Sequence, residues 1–504
     1  MKKIFTILSL ASLVVLSSCE LNLYPETGYN EGNVKVDQDA GESQYSTRED
    51  MKGLRDAIYS SWTKDIQEKG YLDWLVYAEC RADNAYGGNP GTGELMAIEA
   101  NKQDGENKNV VRDWDWYQGQ VSNCNNIICN IDRIKEADPS MTDKEYREWK
   151  SEAYCWRAWN LFQMSYIWGD IPLVNTIPPA ITSENIEDVY HLYYPGRTPI
   201  ADVHAQIIGE LEYACQNAPD TDPANKHLFT KAFAHGMLAR IYAEPKAGLQ
   251  DWNKVAEHCA AVESYNYKLV DDYGQMWAYD EADAVRNTTE SIFEITWTKS
   301  NGNWVWMMFH RNAYNPDDSY SWIKWITPSR DLIAAYDAEK DTERKNACIV
   351  YDEAIWSNYY PGDAYAFMHK VPTNASSIIL MRLGEIYLLH AEALAMQGKF
   401  AEATEYVNKI RTRAGIKEIS APSSQEAMID AILHERRLEL AFEGFRFFDL
   451  LRHSFDKTKA IHDAMPEQDS YWQPRFPLTE ETVFMPIPQT VLDNNPSLVQ
   501  NPGY

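Results

Sequence analysis

The feature that most constrains this fold is a helical hairpin in the last quarter of the chain. From Met381 to Leu394, and again from Tyr406 to Arg411, apolar residues return at helical spacing. Between the two runs stands Gly398-Lys399-Phe400-Ala401-Glu402-Ala403. A glycine there ends the first helix, the aromatic packs in the turn, and the small alanines let the second helix approach. Such a pair keeps one apolar face open, so it is stable only when stacked on further pairs.

Looser copies occur upstream. Ala234 to Tyr242 is followed by Asp251 to Ala256, and Trp116 to Ile134 pairs with Ser151 to Trp168. Leu54, Ile58 and Trp62 recur at four-residue spacing from Arg48 onward. The turn resembles that of a tetratricopeptide repeat, although a strict 34-residue period is absent. The expected fold is all-α: a superhelix of tetratricopeptide-like pairs within about 114–262 and 378–414, inside one body spanning 47–504. Segments 82–109, 171–199 and 271–328 lack a clear period and are rich in Trp, Tyr, Asn and Gly. Loops this long are usually functional or disordered, and that aromatic content argues for ordered loops on a helical scaffold.

The N-terminus carries its own signal. Lys2 and Lys3 precede an apolar run from Ile4 to Leu16, and Leu16-Ser17-Ser18-Cys19 follows. That is a signal-peptide pattern covering 1–18. Its cysteine resembles a bacterial lipobox, so Cys19 is the expected lipidation site. Residues 20–46 are polar and acidic and read as a tether. Nothing later is apolar for the ~20 residues that span a bilayer, so anchoring by acyl chains alone is expected.

Formal charge is −28, which excludes a broad electrostatic footprint for nucleic acid. The hydrophobic fraction of 44% is ample for a core. Besides Cys19 there are Cys80, Cys124, Cys129, Cys155, Cys215, Cys259 and Cys348, an odd number with no CxxC. They read as small core residues, not as a disulfide framework or a zinc site.

The helix with His434-Glu435-Arg436-Arg437-Leu438-Glu439-Leu440, then Glu443-Gly444-Phe445-Arg446 and Asp449-Leu450-Leu451-Arg452, precedes a tail with Met485-Pro486-Ile487-Pro488-Gln489 and Gln500-Asn501-Pro502-Gly503-Tyr504. With the hairpin, and with Ala153, Arg157, Ala158, Trp168-Gly169-Asp170-Ile171-Pro172 and Thr327-Pro328, Leu332, Tyr336, Asp341 and Arg344, this order resembles the SusD/RagB family of nutrient-binding lipoproteins. The resemblance implies a helical body with a loop-rich ligand face and a surface-exposed outer-membrane location. It also implies a glycan ligand and a SusC-like TonB-dependent transporter as partner. The arginine-rich block reads as structural: Arg436 or Arg437, if buried, needs a carboxylate, and Glu443 or Asp449 is available.

Seventeen tryptophans and 31 tyrosines supply stacking faces for sugar rings, with Asn, Asp and Arg to bond hydroxyls. The first-choice platform is Trp304, Trp306, Tyr320 and Trp322, since an extended segment would put Trp304 and Trp306 on one face. The second candidate is Asp83, Asn84 and Tyr86, whose Asp-Asn resembles one that leads into a variable ligand-side loop in the family; a helix cap is the alternative. Trp114, Trp116, Tyr117 and Trp325 read as packing residues, and Tyr359-Tyr360-Pro361-Gly362-Asp363 is a third aromatic loop without an assigned role.

Two other classes compete. A glycoside hydrolase needs two carboxylates held ~5–10 Å apart, and Asp113 with Asp115, or Asp271 with Asp272, are nominal pairs. His434-Glu435 lacks the second histidine of a zincin, since residue 438 is leucine. A tetratricopeptide-type interaction scaffold or peptide-binding lipoprotein is the other rival. The preferred reading is a non-enzymatic glycan-capture protein with a weak leaning to neutral sugars. No cofactor is expected, and loop carboxylates show no spacing that would assign a Ca²⁺ site.

Overall fold

The computed structural model describes residues 44–88, 93–315, 324–472 and 474–504. The signal-peptide, Cys19 and tether expectations therefore fall on residues outside the description up to position 43. Among the described residues the helices that carry the fold are α1 (Arg48–Asp65), α2 (Lys108–Ile128), α3 (Asp143–Trp168), α4 (Ile200–Asn217), α5 (Lys231–Ala243), α6 (Trp252–Glu263), α7 (Arg330–Glu339), α8 (Leu383–Met396), α9 (Phe400–Arg413), α10 (Gln425–Glu439), α11 (Arg446–His453) and α12 (Phe455–Gln468).

Local chemistry sets their ends. Thr142 and Glu145 form a reciprocal capping box at the start of α3. Asn107 accepts from the amides of Asn109 and Val110 at the start of α2. The hairpin turn is as expected, with Gly398 at φ +76° between α8 and α9. Successive helices pack as one array: α2 on α3, α3 on α4, α4 on α5, α5 on α6, α6 on α8, and α8 on both α9 and α10. At its centre α3 is buried on all sides from Cys155 to Trp168, with Trp156 stacked on Trp159 at 5.1 Å and Trp168 edge-on to Trp114. Much of the aromatic content is therefore scaffold. Cys80, Cys124, Cys155, Cys259 and Cys348 are buried in the same core.

The mostly helical architecture agrees with the expected all-α class. Three short antiparallel ribbons supplement it: β1 (Ala85–Gly87) with β3 (Ile326–Pro328), β2 (Ser291–Ile295) with β6 (Ile378–Arg382), and β4 (Ile349–Asp352) with β5 (Tyr365–Met368). The first pairs Tyr86 with Thr327 and so fastens together the two loops expected to carry ligand.

A second core is ionic. Arg344 meets Asp341, Glu435 and Glu439 at 2.5, 2.6 and 3.0 Å. Arg382 meets Glu290, Glu439 and Glu443 at 2.7, 2.6 and 2.8 Å, and Arg413 joins Glu290 and Glu439. Arg436 takes Asp449 at 2.8 Å, as its burial required. Glu443 serves Arg382 and Lys370 instead. These pairs fasten the short helix Thr342–Cys348, β6, α9, α10 and α11 to one another, so the arginine-rich block works as structure. The closing residues are docked as well: the Asn501 amide donates to the carbonyls of Trp168 and Met485.

Buried histidines give the fold an acid-sensitive component. His462 is fully buried, and burial with neighbouring Arg475 lowers its pKa to about 3. The folded state thus refuses a proton that the unfolded chain accepts near pH 6.5. Its contribution is complete above that pH and is lost as pH falls toward 3. Glu79 acts in the opposite sense, since burial raises its pKa to about 7, so only a comparison with a variant isolates the histidine. Between pH 7 and pH 5 the wild type is expected to lose about 2 kcal/mol more stability than His462→Gln, read from urea unfolding. Parallel pH profiles would refute the assignment.

Candidate functional site

The loop face is organised around the segment that continues α1. Gln67–Leu72 and Val76–Cys80 are π-helical, a form that costs backbone geometry and recurs at functional sites. Gln67 turns its side-chain carbonyl to the amide of Trp304 at 2.8 Å. Buried Asn303 donates to the carbonyls of Thr373, Asn374 and Ser376 and accepts the Trp306 amide. From the other side Lys324 Nζ donates to the carbonyls of Met307 and His310.

These anchors hold Val305–Met308 as a 3₁₀ turn, not an extended strand. That corrects the expected geometry: at about three residues per turn Trp304 and Trp306 point in different directions. Both are half-buried against the core. Trp325 is likewise half-buried, its amide on the Met308 carbonyl and its ring under the Arg112 guanidinium at 5.8 Å. Arg112 is held by Glu68 at 2.5 Å and by Asp73.

Beside this turn lies an open groove of about 770 Å³ lined by Lys69, Glu106, Arg112, Asp115, Trp116 and Gln489, among others. Trp116 is the aromatic residue of that lining, and the rim carries both charge signs. A lining this polar suits a polyhydroxylated ligand better than an apolar one. Trp116 faces it in part although its indole is buried, whereas Trp114 and Tyr117 are core residues.

The second expected cluster lies within the scaffold. Asp83 is buried, its carboxylate on Arg446 at 2.7 Å and near Arg437 at 3.3 Å. Burial pushes its pKa up, but Arg437 and Arg446 outweigh that and hold it far below the usual carboxylate range. Asn84 bridges Glu79 and Arg437. Tyr86 is buried, stacked on Tyr359 at 4.6 Å with its hydroxyl donating to Asp469. All three spend their polar atoms on the scaffold, because the turn that ends the π-helical segment is sewn to α10 and α11. Tyr320 and Trp322, and the loop tip at 89–92, lie outside the described residues.

The nominal acid pairs do not assemble a catalytic site. Asp113 is fully buried beside Asp73, not beside Asp115, and burial with that neighbouring carboxylate raises its pKa well above the usual range. Asp272 caps the turn at Tyr273–Trp277. His434 faces Glu339 at 3.0 Å. Among the described residues no group of three His, Cys, Asp or Glu side chains could hold a metal ion, and no helix is long and apolar enough to cross a membrane. Sequence reasoning did not identify Arg112 or Gln67 as part of this face. Both are ordinary surface residue types: Gln67 reaches the Trp304 amide from the π-helical segment, whereas Arg112 reaches Trp325 from α2.

Two family descriptions match the chain: "Starch-binding associating with outer membrane" over residues 40–243, and "SusD family" over residues 356–504. Among curated proteins, SusD-like protein P38 of Formosa agariphila is 24% identical over 541 aligned residues, covering 99% of this chain and 98% of its own. The starch-binding protein SusD of Bacteroides thetaiotaomicron is 31% identical over 156 residues, 30% of this chain and 25% of its own. Among solved structures, surface glycan-binding protein A from Bacteroides uniformis superposes with a TM-score of 0.73 at 20% identity, covering 90% of this chain and 99% of that one. A laminarin-binding SusD-like protein gives 0.70 at 20% identity, covering 91% and 100%. At those identities the structural likeness carries the fold.

Proposed function

Because the chain belongs to the SusD/RagB family, we propose that it is a non-catalytic lipoprotein of the outer-membrane surface that captures neutral oligosaccharides and passes them to a SusC-like TonB-dependent transporter. The observation that carries the ligand class is the braced tryptophan turn. Trp304, Trp306 and Trp325 keep part of their rings at the surface while their backbone amides are fixed by Gln67, Asn303 and the Met308 carbonyl. A rigid aromatic ledge loses little entropy when a sugar ring stacks on it. The Arg112 guanidinium and Lys69 beside the ledge supply N–H donors to sugar hydroxyls. Affinity in this reading comes from stacking and hydrogen bonding, with no bond broken.

The test is a binding screen of the soluble form, residues 20–504, against soluble starch and laminarin oligosaccharides, with reducing ends assayed in parallel. The wild type is expected to bind one class without releasing reducing ends. Trp304→Ala/Trp306→Ala is expected to weaken that binding at least tenfold, the scale of losing aromatic hot-spot contacts, while its unfolding midpoint shows the fold retained. Released reducing ends would establish a hydrolase instead. Unchanged binding in the double variant would remove the ledge from the site. Association with a SusC-like barrel is expected to survive the same substitutions, as judged by co-purification from outer membranes.

A further inference from the structure

A second exposed aromatic group lies at the far end of β3. Tyr471 is 41% exposed. The Arg330 guanidinium covers one face of its ring at 3.8 Å and lies 4.4 Å over Tyr360 on its other side. Arg330 is fixed from beneath, since it donates to the Tyr86 hydroxyl at 3.2 Å and to the Tyr359 carbonyl. Asp469 ties the group together by accepting from the Tyr471 amide at 3.0 Å and from the Tyr86 hydroxyl. Beneath them Tyr86 packs on Tyr359 and Trp472. The result is a layered stack whose outermost ring faces solvent and cannot easily swing away.

Its edge is polar as well. The Arg330 side chain is 34% exposed and faces Asp469 at 3.8 Å. Both guanidinium hydrogen bonds leave from the terminal nitrogens, and the Nε–H makes none among the described residues. An exposed ring, a planar donor with an unused N–H and a carboxylate acceptor on one rim match the face and hydroxyls of a pyranose. One exposed ring flanked by a guanidinium and a carboxylate suits one sugar ring and not a protein interface of ~1,000 Å².

Its position relates it to the tryptophan ledge. Trp325 immediately precedes β3 and Arg330 begins α7 two residues beyond it. At about 3.3 Å per residue the two lie on the order of 15 Å apart, joined by the same β1–β3 ribbon. We propose that Tyr471, with Arg330 and Asp469, forms a second carbohydrate subsite that engages the distal part of a long oligosaccharide whose other end stacks on the tryptophan ledge. This assignment rests on the glycan-capture reading above, and it makes affinity depend on chain length.

The experiment is calorimetric titration with maltotriose, maltoheptaose, laminaritriose and laminariheptaose against the full mature chain, Tyr471→Ala and Tyr471→Phe. In the series that binds, the wild type is expected to prefer the heptaose by on the order of tenfold. Tyr471→Ala is expected to abolish that preference without changing affinity for the triose, and Tyr471→Phe to keep it, since the ring and not the hydroxyl does the stacking. Heptaose binding unchanged in Tyr471→Ala would overturn the subsite while leaving the capture reading intact. An equal loss for triose and heptaose would also overturn it, by placing Tyr471 in the primary site or in the fold. A wild type that binds neither series would overturn both readings together.

Discussion

Replacing Glu439 by alanine is expected to destabilise the protein by about 3–5 kcal/mol, the scale for removing one member of a buried ion network. Glu439 is fully buried and meets Arg344, Arg382 and Arg413. Burial alone would raise its pKa, but Arg413, Arg382 and Arg344 outweigh the desolvation and hold it far below the usual glutamate range. It is therefore charged at neutral pH. Without it three guanidiniums share Glu290, Glu443, Asp341 and Glu435 and lose their common centre. The loss is a large fraction of a typical net stability of about 5–15 kcal/mol. In a chain this long the same free energy moves the melting temperature by only a few degrees, because unfolding entropy scales with length. The decisive readout is the denaturant midpoint, with Glu439→Gln as the shape-preserving comparison. Alanine is expected to cost more than glutamine, and both more than Glu405→Ala on the outer side of α9. A Glu439→Ala variant as stable as the wild type would mean that solvent or neighbouring carboxylates fully compensate.

What could be read from the chain alone divides along the range of the interactions. The α8–α9 hairpin was legible because its determinants are adjacent: a glycine at a left-handed position, then an aromatic and small residues. That a buried Arg436 or Arg437 would need Glu443 or Asp449 was legible for the same reason, and the structure pairs Arg436 with Asp449 thirteen residues on. The partners of Arg437 were not. They are Asp331 and Asp83, the latter more than 350 positions away, and no local pattern distinguishes a carboxylate that meets a distant arginine from one that meets a ligand. Asp83 and Asn84 could therefore be read either as ligand contacts or as a helix end, and the structure places their polar atoms on the scaffold. The 3₁₀ turn at Val305–Met308 was misread as extended because alternating tryptophans imply a strand only when nothing overrides them. Here Gln67, Asn303 and Lys324 do, and two of those three belong to other segments or to the far side of the loop. The scaffold is thus written in short-range periodicity, whereas the site is written in contacts between loops.

Gly444→Ala is expected to cost about 3 kcal/mol or more, and the cause is a collision as well as backbone strain. Gly444 has φ +85°, and a Cβ there would stand 2.4 Å from both Cδ1 and Nε1 of Trp74. Trp74 cannot yield cheaply: its ring stacks on Phe448 at 4.7 Å, meets Tyr166 edge-on, and donates from Nε1 to the Gly444 carbonyl at 3.0 Å. On the other side the Gly444 amide donates to the buried Glu79 carboxyl at 2.8 Å. Gly398 offers the control. It also has positive φ, at +76°, but its added Cβ would meet nothing within 4 Å, so Gly398→Ala is expected to cost only the left-handed backbone penalty of about 1–2 kcal/mol. The difference between the two variants in urea midpoint measures the collision alone, and equal costs would refute it. Displacement of Trp74 would also reach the loop face, because Glu79 holds Asn84, and Asn84 leads into β1. Gly444→Ala is therefore expected to weaken oligosaccharide binding as well as stability, while Gly398→Ala on the outer turn of the helical array leaves binding unchanged.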